Sequence, residues 1–400
     1  MKTVDSKEDK AKDSGIGEGK HTLSTPDYKF LRFESDYFVG KRGKLDRYLV
    51  CSLAGYFPVM VQTGPSSLSV ILRSGGPHVG ITGTLSVTNS DDGGKSWSDL
   101  VQVAPRFEDV RNPAYGVNAE GHLVAAYWHA RLHRYDLDPE GRGLQYAFGF
   151  DESDPSRNDI PALFTVVSKD RGLTWSEPQP YKSQILTMCS PYGRMISAPD
   201  GTLLMSVYGV LREPVEGVNH AVIIVRSKDG GRTWGDETLL AKGYNETSIA
   251  LLPDGRLIAI ARKDERYAHV ATSFSDDMGR TWTVPKQVTR DGEHPGDLTV
   301  LASGKLLLTF GRRIRPFGCG ALISEDNGAT WKTDEEVLLA GDGINDHDVG
   351  YPSTVQLADG SIVTVIYYGS GSEPTEQSRL RGWGDVSCQA IHYREEDITK

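Results

Sequence analysis

Five times this chain repeats one eight-residue pattern, Ser-x-Asp-x-Gly-x-(Ser/Thr)-Trp, at Ser90–Trp97, Ser168–Trp175, Ser227–Trp234, Ser275–Trp282 and Ser324–Trp331. Five of the seven tryptophans lie inside it. So regular a recurrence marks a supersecondary unit that cannot bury its apolar face alone and must stack on its neighbours. Each copy follows an apolar, β-branched run: Thr84–Val87, Leu163–Val167, Ala221–Val225, His269–Thr272 or Ala321–Ile323. The pattern therefore turns the chain at a strand end. Its aspartate accepts from backbone N–H groups of the turn, and its glycine supplies a positive φ. The tryptophan is expected to open the next strand and bury against the adjacent repeat. Full burial removes roughly 150–250 Å² from water. At about 25 cal/mol per Å² the upper limit is on the order of 4–6 kcal/mol.

A second repeat, strand–polar turn–strand, precedes each box. Its copies are Tyr56–Arg73 with a turn at Ser66, Arg111–Trp128 (Gly121), Pro191–Tyr208 (Gly201), Asn245–Arg262 (Gly255), His294–Gly311 (Gly304) and Gly350–Tyr367 (Gly360). Six copies predict an all-β, six-bladed β-propeller. No box follows the last copy. Its outer strands are expected from Val386–Tyr393 and from a segment near the N-terminus, with Lys29–Phe33 as one candidate.

In an antiparallel hairpin the start of the first strand and the end of the second share an edge. That register places Phe57, Asn112, Tyr192, Glu246, Pro295 and Tyr351 around one mouth of the channel. Tyr56, Arg111, Pro191, Asn245, His294 and Gly350 stand beside them; Arg73, Trp128, Tyr208, Arg262, Gly311 and Tyr367 stand opposite. Three arginines, a glutamate, a histidine and several aromatics thus converge on one rim. A purely structural propeller has little reason to gather them there.

Composition narrows the partners. The net charge of −10 excludes nucleic acid and anionic membrane surfaces as expected partners, but not an anionic ligand held by a local arginine cluster. The 44 glycines and 20 prolines suit a turn-rich β chain. Cys51, Cys189, Cys319 and Cys388 are widely spaced and read as buried free thiols. Residues 1–28 are polar and expected to be disordered or extended, and 29–398 to form one domain. The charged N-terminus lacks an apolar core of signal-peptide type, so a cytoplasmic location is expected. The long connection 129–160 carries His129, His133, Tyr135, Tyr146, Phe148 and Phe150 and is expected to cover the channel mouth. Asp346-His347-Asp348 lacks a further ligand cluster, so no metal or other cofactor is expected.

The eight-residue pattern resembles the Asp-box of the sialidase superfamily, where it is structural. The segment Asn245–Arg262 resembles the one that supplies the catalytic glutamate and an arginine of the carboxylate-binding triad; these would be Glu246 and Arg262. Asp348–Ser361 resembles the segment of the tyrosine nucleophile, which would be Tyr351. The resemblance has a chemical logic. A sialic acid carries its carboxylate on the reacting carbon and would repel a carboxylate nucleophile. A neutral tyrosine, deprotonated by a glutamate, avoids the clash, and sialidases are the exception to the two-carboxylate rule. Arginines hold the substrate carboxylate in bidentate pairs.

The chain departs from the family pattern in blade 1. Tyr56 stands in Tyr56-Phe57-Pro58 where the family has its first triad arginine. The following loop, Ser74–Gly80, has no carboxylate for the acid/base role, and His78 is its only titratable group. Asp109 and Asp297 are alternative acid/base candidates, the latter also a candidate substrate ligand. Arg313 or Arg315 would supply the blade 5 arginine. Arg111 or Arg73 would replace the missing one, and Tyr56, Trp128 and Tyr208 would line the sugar site. The expected function is an exo-acting retaining glycoside hydrolase that removes a terminal, acidic sugar from an oligosaccharide or glycoconjugate. The alternatives are a related enzyme on a non-sialic sugar, as in exo-arabinanases, a lyase, and a non-catalytic carbohydrate-binding propeller.

Overall fold

Runs such as Ala221–Val225 and Leu257–Ala261 are apolar at consecutive positions and buried throughout. A strand with one wet face alternates; one covered on both faces does not. These sheets are therefore packed front and back. The structure, a computed structural model, describes residues 32–35, 45–76, 78, 83–104, 109–129, 135–137, 144–146, 162–265, 268–343, 349–369 and 386–399. Among them it is all-β with almost no helix, in a propeller-like arrangement of antiparallel sheets.

Except where the two ends of the chain meet, the strands run outward in chain order. One consists of Tyr56–Gln62, Leu68–Ser74, Thr84–Ser90 and Val101–Gln102. The strands Tyr244–Leu251, Leu257–Lys263, Val270–Ser275 and Lys286–Gln287 form a second of the same kind. Glu293–Val300, Leu306–Arg312, Phe317–Ser324 and Val337–Gly343 form a third. Two further sets start at Val110–Val117 and Leu186–Ser197 and are joined by a short parallel contact, Gly193 opposite Ala114 and Arg194 opposite Tyr115. The inner strands neighbour one another in order, and the last of them, Val349–Gln356, lies against Tyr56–Gln62. Apolar clusters fill the gaps between sheets. Ile71 and Leu85 meet Tyr115 and Ala125 in one gap, and Val355 and Val363 meet Met60 and Leu68 in another.

The closing sheet corrects one expectation. Val349–Gln356, Ser361–Gly369 and Val386–Arg394 are completed by Leu45–Ser52, with Arg32–Ser35 beyond it. Lys29–Phe33 therefore does not take the closing place; it only overlaps the further outer strand. Leu45–Ser52 wins because three residues link it to Tyr56–Gln62, so it needs no long crossover. The same topology explains the missing box. In the other sheets the box joins third strand to fourth, whereas here those two strands come from opposite ends of the chain.

The boxes are hydrogen-bonded turns. In Ser168–Trp175, Asp170 Oδ1 accepts from the Ser168 hydroxyl at 2.8 Å and the Thr174 amide at 2.9 Å, while Oδ2 accepts from the Thr174 hydroxyl at 2.5 Å. The Gly172 amide donates to Ser168 Oγ, and the Trp175 indole donates to the Gly172 carbonyl. The same net recurs around Asp92, Asp229 and Asp277, and without the indole bond around Asp326. Of the five tryptophans only Trp97 is fully buried; the other four are partly buried, so they fall short of the full-burial limit. All four cysteines are buried and free. Most of the 129–160 connection lies outside the described residues; within it Tyr135–Leu137 pairs with Leu144–Tyr146.

Candidate functional site

The inner strands share a defect at one end. Their pairing register breaks between Tyr56 and Val59, Arg111 and Ala114, Tyr244 and Thr247, Glu293 and Gly296, and Gly350 and Ser353. Such bulges re-aim a side chain. Phe57, Asn112 and Tyr351 occupy them with left-handed φ of 54°, 50° and 50°. For a non-glycine residue that conformation costs on the order of 1–3 kcal/mol and is typical of functional sites. The aromatic members expected at the rim pack together. The Tyr351 ring lies 4.9 Å from Phe57, 5.7 Å from Tyr367 and 6.1 Å from Tyr192, and Tyr56 lies 5.2 Å from Tyr367.

Glu246 is the centre of the rim. It is 5 % exposed, on the strand Tyr244–Leu251. Its Oε1 accepts the Tyr351 hydroxyl at 2.5 Å, and its Oε2 accepts Arg262 Nη1. Burial holds the Tyr351 phenol well above the ordinary range; the Glu246 charge adds to this, and Arg262 and Arg313 oppose it. Burial works against the charge on Arg262, but Glu246 outweighs it and raises the guanidinium further, so Arg262 stays charged.

Of the blade 5 pair, Arg313 comes to the site, its guanidinium 5.6 Å from the Tyr351 ring centre. Arg315 is exposed and covers Phe317 instead, which takes it away from Tyr351. Arg312 is bound to Glu336. Arg262 Nε and Arg313 Nε and Nη2 are buried without a hydrogen-bond partner among the described residues. His294 is close to both arginines. Its own burial first, then their charges, lower its pKa to about 2, so it is a neutral imidazole.

The blade 1 and blade 2 candidates are arranged differently. Asp109, fully buried, bridges Arg73 at 2.9 Å and Arg111 at 3.3 Å. Arg73 also donates to the Val110 carbonyl, and Arg111 stacks over Trp128 at 4.7 Å. These three expected site residues thus form one buried ion cluster. Two guanidiniums so close together need the carboxylate between them, which takes up its charge. Asp297 is 3 % exposed, on the strand Glu293–Val300. It accepts from Arg194 and Ser248 at 3.1 Å and from the Thr354 amide at 2.7 Å. Asp297 is thus the counter-ion of Arg194, and it lines a small cavity with Phe57, Asn112, Tyr192 and Tyr351. His78 is partly exposed and packs on the aromatic ring, 4.7 Å from Phe57, 5.3 Å from Tyr56 and 6.5 Å from Tyr367.

Trp128 and Tyr208 line a cavity of about 120 Å³ with Asn112, Met188, Val210 and His220. Asn112 ties it to the rim by donating to the Tyr208 hydroxyl at 2.7 Å. His220 pairs with Asp264 at 2.8 Å, and Asn245 donates to Asp264 at 3.0 Å. The sequence reading missed this pair, because forty-four residues separate its members and neither lies in a repeat position. Asp346-His347-Asp348 lies outside the described residues. A larger cavity, about 750 Å³, opens at the opposite ends of the inner strands. Among its lining residues Arg194 alone is ionisable, so it offers no acid–base chemistry.

The profile of the BNR repeat-like domain matches residues 152–365, more than half of the chain. A sialidase of Bacteroides fragilis is 25 % identical over 323 residues, 73 % of this chain and 55 % of that protein. One from Clostridium perfringens is 30 % identical over 131 residues, 30 % of this chain and 33 % of that protein. The chain thus spans about half the length, or less, of the curated relatives it matches. Among solved structures, a Dyadobacter fermentans protein of unknown function aligns with a TM-score of 0.65 at 20 % identity, over 86 % of this chain and 95 % of its own. Trypanosoma rangeli sialidase in complex with sialic acid aligns with a TM-score of 0.60 at 14 % identity, over 92 % of this chain and 59 % of its own. With its repeated aspartate turns, its propeller-like sheets and this match, the chain belongs to the BNR repeat-like domain family of the sialidase superfamily.

Proposed function

We propose that the protein is an exo-acting retaining glycoside hydrolase that releases a terminal acidic sugar from an oligosaccharide or glycoconjugate. The sheets would form six blades of one domain over residues 29–398, the inner strands contacting one another in a cycle. The observation that carries the reading is the Tyr351–Glu246 hydrogen bond with Arg262 on the other carboxylate oxygen. Binding a sugar needs no phenol poised on a buried base.

In the first step Tyr351 Oη attacks the anomeric carbon as its proton passes to Glu246 Oε1. The raised phenol pKa makes free phenolate costly, so proton transfer and attack go together. His78 protonates the leaving oxygen. In the second step water attacks the same carbon, His78 takes its proton, and Glu246 returns a proton to the departing Tyr351. Two displacements retain configuration. The unpaired N–H groups of Arg262 and Arg313 favour a substrate carboxylate at the reacting carbon.

One observation favours a second reading, a hydrolase on a non-sialic sugar with Glu246 as direct nucleophile. Tyr56 replaces an arginine, and Asp109 occupies Arg73 and Arg111. A panel of aryl glycosides (sialoside, arabinofuranoside, uronide) tests both. Turnover of the sialoside, with covalent trapping lost in Tyr351→Phe, supports the first reading. Trapping that persists in Tyr351→Phe supports the second. No turnover of any substrate overturns both.

A further inference from the structure

The sheet that joins the two ends of the chain contains a cross-strand cysteine pair. Cys51 on Leu45–Ser52 lies directly opposite Cys388 on Val386–Arg394. Direct antiparallel partners point to one face with Cβ atoms about 4.5–5.5 Å apart, near the reach of a disulfide. Both side chains sit in the same apolar cluster, with Met60, Leu68 and Val363. The Cys388 backbone beside the Cys51 thiol offsets part of the effect of burial on its pKa. The thiol in turn faces the Ala54 carbonyl at 3.5 Å. Cys189 and Cys319 lie in other apolar clusters, apart from this pair.

We propose that Cys51 and Cys388 are a cross-linking site: under a disulfide oxidant they form a bond that staples the N-terminal strand to the C-terminal strand. The step balances by exchange with a small disulfide such as oxidised glutathione. The Cys51 thiolate attacks it, forming a mixed disulfide and releasing one glutathione thiolate. The Cys388 thiolate then attacks Cys51 Sγ and releases the second. The two protein thiols are oxidised, the small disulfide is reduced to two thiols, and the two protons pass to them. Burial pushes the Cys51 thiol up to about 12 and Cys388 also well above its ordinary value. The thiolate is the attacking form, so exchange is slow in the closed sheet and speeds when its edge opens. The bond closes a loop of nearly the whole chain, the case in which a cross-link restricts the unfolded state most.

The test is to hold the full-length protein in sub-denaturing urea with oxidised glutathione or with dithiothreitol. The denatured protein is then alkylated and its peptides mapped by mass spectrometry. The expected result is the loss of two alkylation sites, a Cys51–Cys388 linked peptide, and a thermal midpoint raised on the order of 5 °C. Cys388→Ser and Cys51→Ser should each abolish the link and the rise, while Cys189→Ser keeps both. Four alkylated thiols after oxidation, or a link that involves Cys189 or Cys319, would overturn the assignment. The readout is independent of any hydrolase activity.

Discussion

Glu246 holds a phenol on one oxygen and a guanidinium on the other, so its two obvious substitutions separate its duties. Glu246→Gln keeps the shape but removes the base; kcat on the best aryl glycoside should fall roughly 10²–10⁴-fold, with the fold unchanged by circular dichroism. Arg313→Ala should raise KM for an acidic substrate at least about tenfold, the scale of a lost charge-assisted pair. Arg315→Ala, on the exposed side, should leave both constants alone. Glu246, Arg262 and Tyr351 were legible because each falls at a fixed offset from a turn. Arg313 and Arg315 were not separable, since two residues along an irregular segment face different directions only after the backbone is placed.

The box is an element whose stability follows pH. The Thr174 hydroxyl first, then its amide and Ser168, lower Asp170 from 3.8 to about 2. A depressed carboxylate stabilises above its unfolded pKa and loses that contribution as pH falls through the folded value. Asp170→Ala should therefore lower the thermal midpoint at about pH 7, and the gap from wild type should close between about pH 4 and pH 2. Gly231 has φ +93°, and a Cβ there would lie 2.4 Å from Val124 Cγ1. Gly231→Ala should destabilise by about 2–3 kcal/mol, measured by urea unfolding. The turn chemistry of these boxes was written in their residue types. The bulges at the inner strand starts were not, because Phe57, Asn112 and Tyr351 carry no glycine to announce a left-handed backbone.

Across the whole molecule, one arginine crosses the channel. Arg194 donates from its own strand to the Thr354 and Leu298 carbonyls and to Asp297, linking three inner strands. Arg194→Met should cost about 3–5 kcal/mol, because it leaves Asp297 as an unpaired buried carboxylate. Asp297→Asn in the same chain should recover part of that loss, in a double-mutant cycle by urea unfolding. In the sequence Asp297 is an acid near a strand start, and nothing there points to Arg194. Its true partner is about a hundred residues away on another sheet.

What was local was readable in one dimension: the boxes, the hairpin turns, the strands buried on both faces, and the register that carries Glu246, Arg262 and Tyr351 to one rim. Each depends on a side chain and neighbours within some twenty residues. What was not readable is long-range: Leu45–Ser52 as the closing strand, Asp109 joined to Arg73 and Arg111, Arg194 across the channel, and Cys51 opposite Cys388. Those pairings follow from which strands become neighbours when the chain folds back on itself. A linear pattern carries no distance between such residues; packing sheet against sheet supplies it.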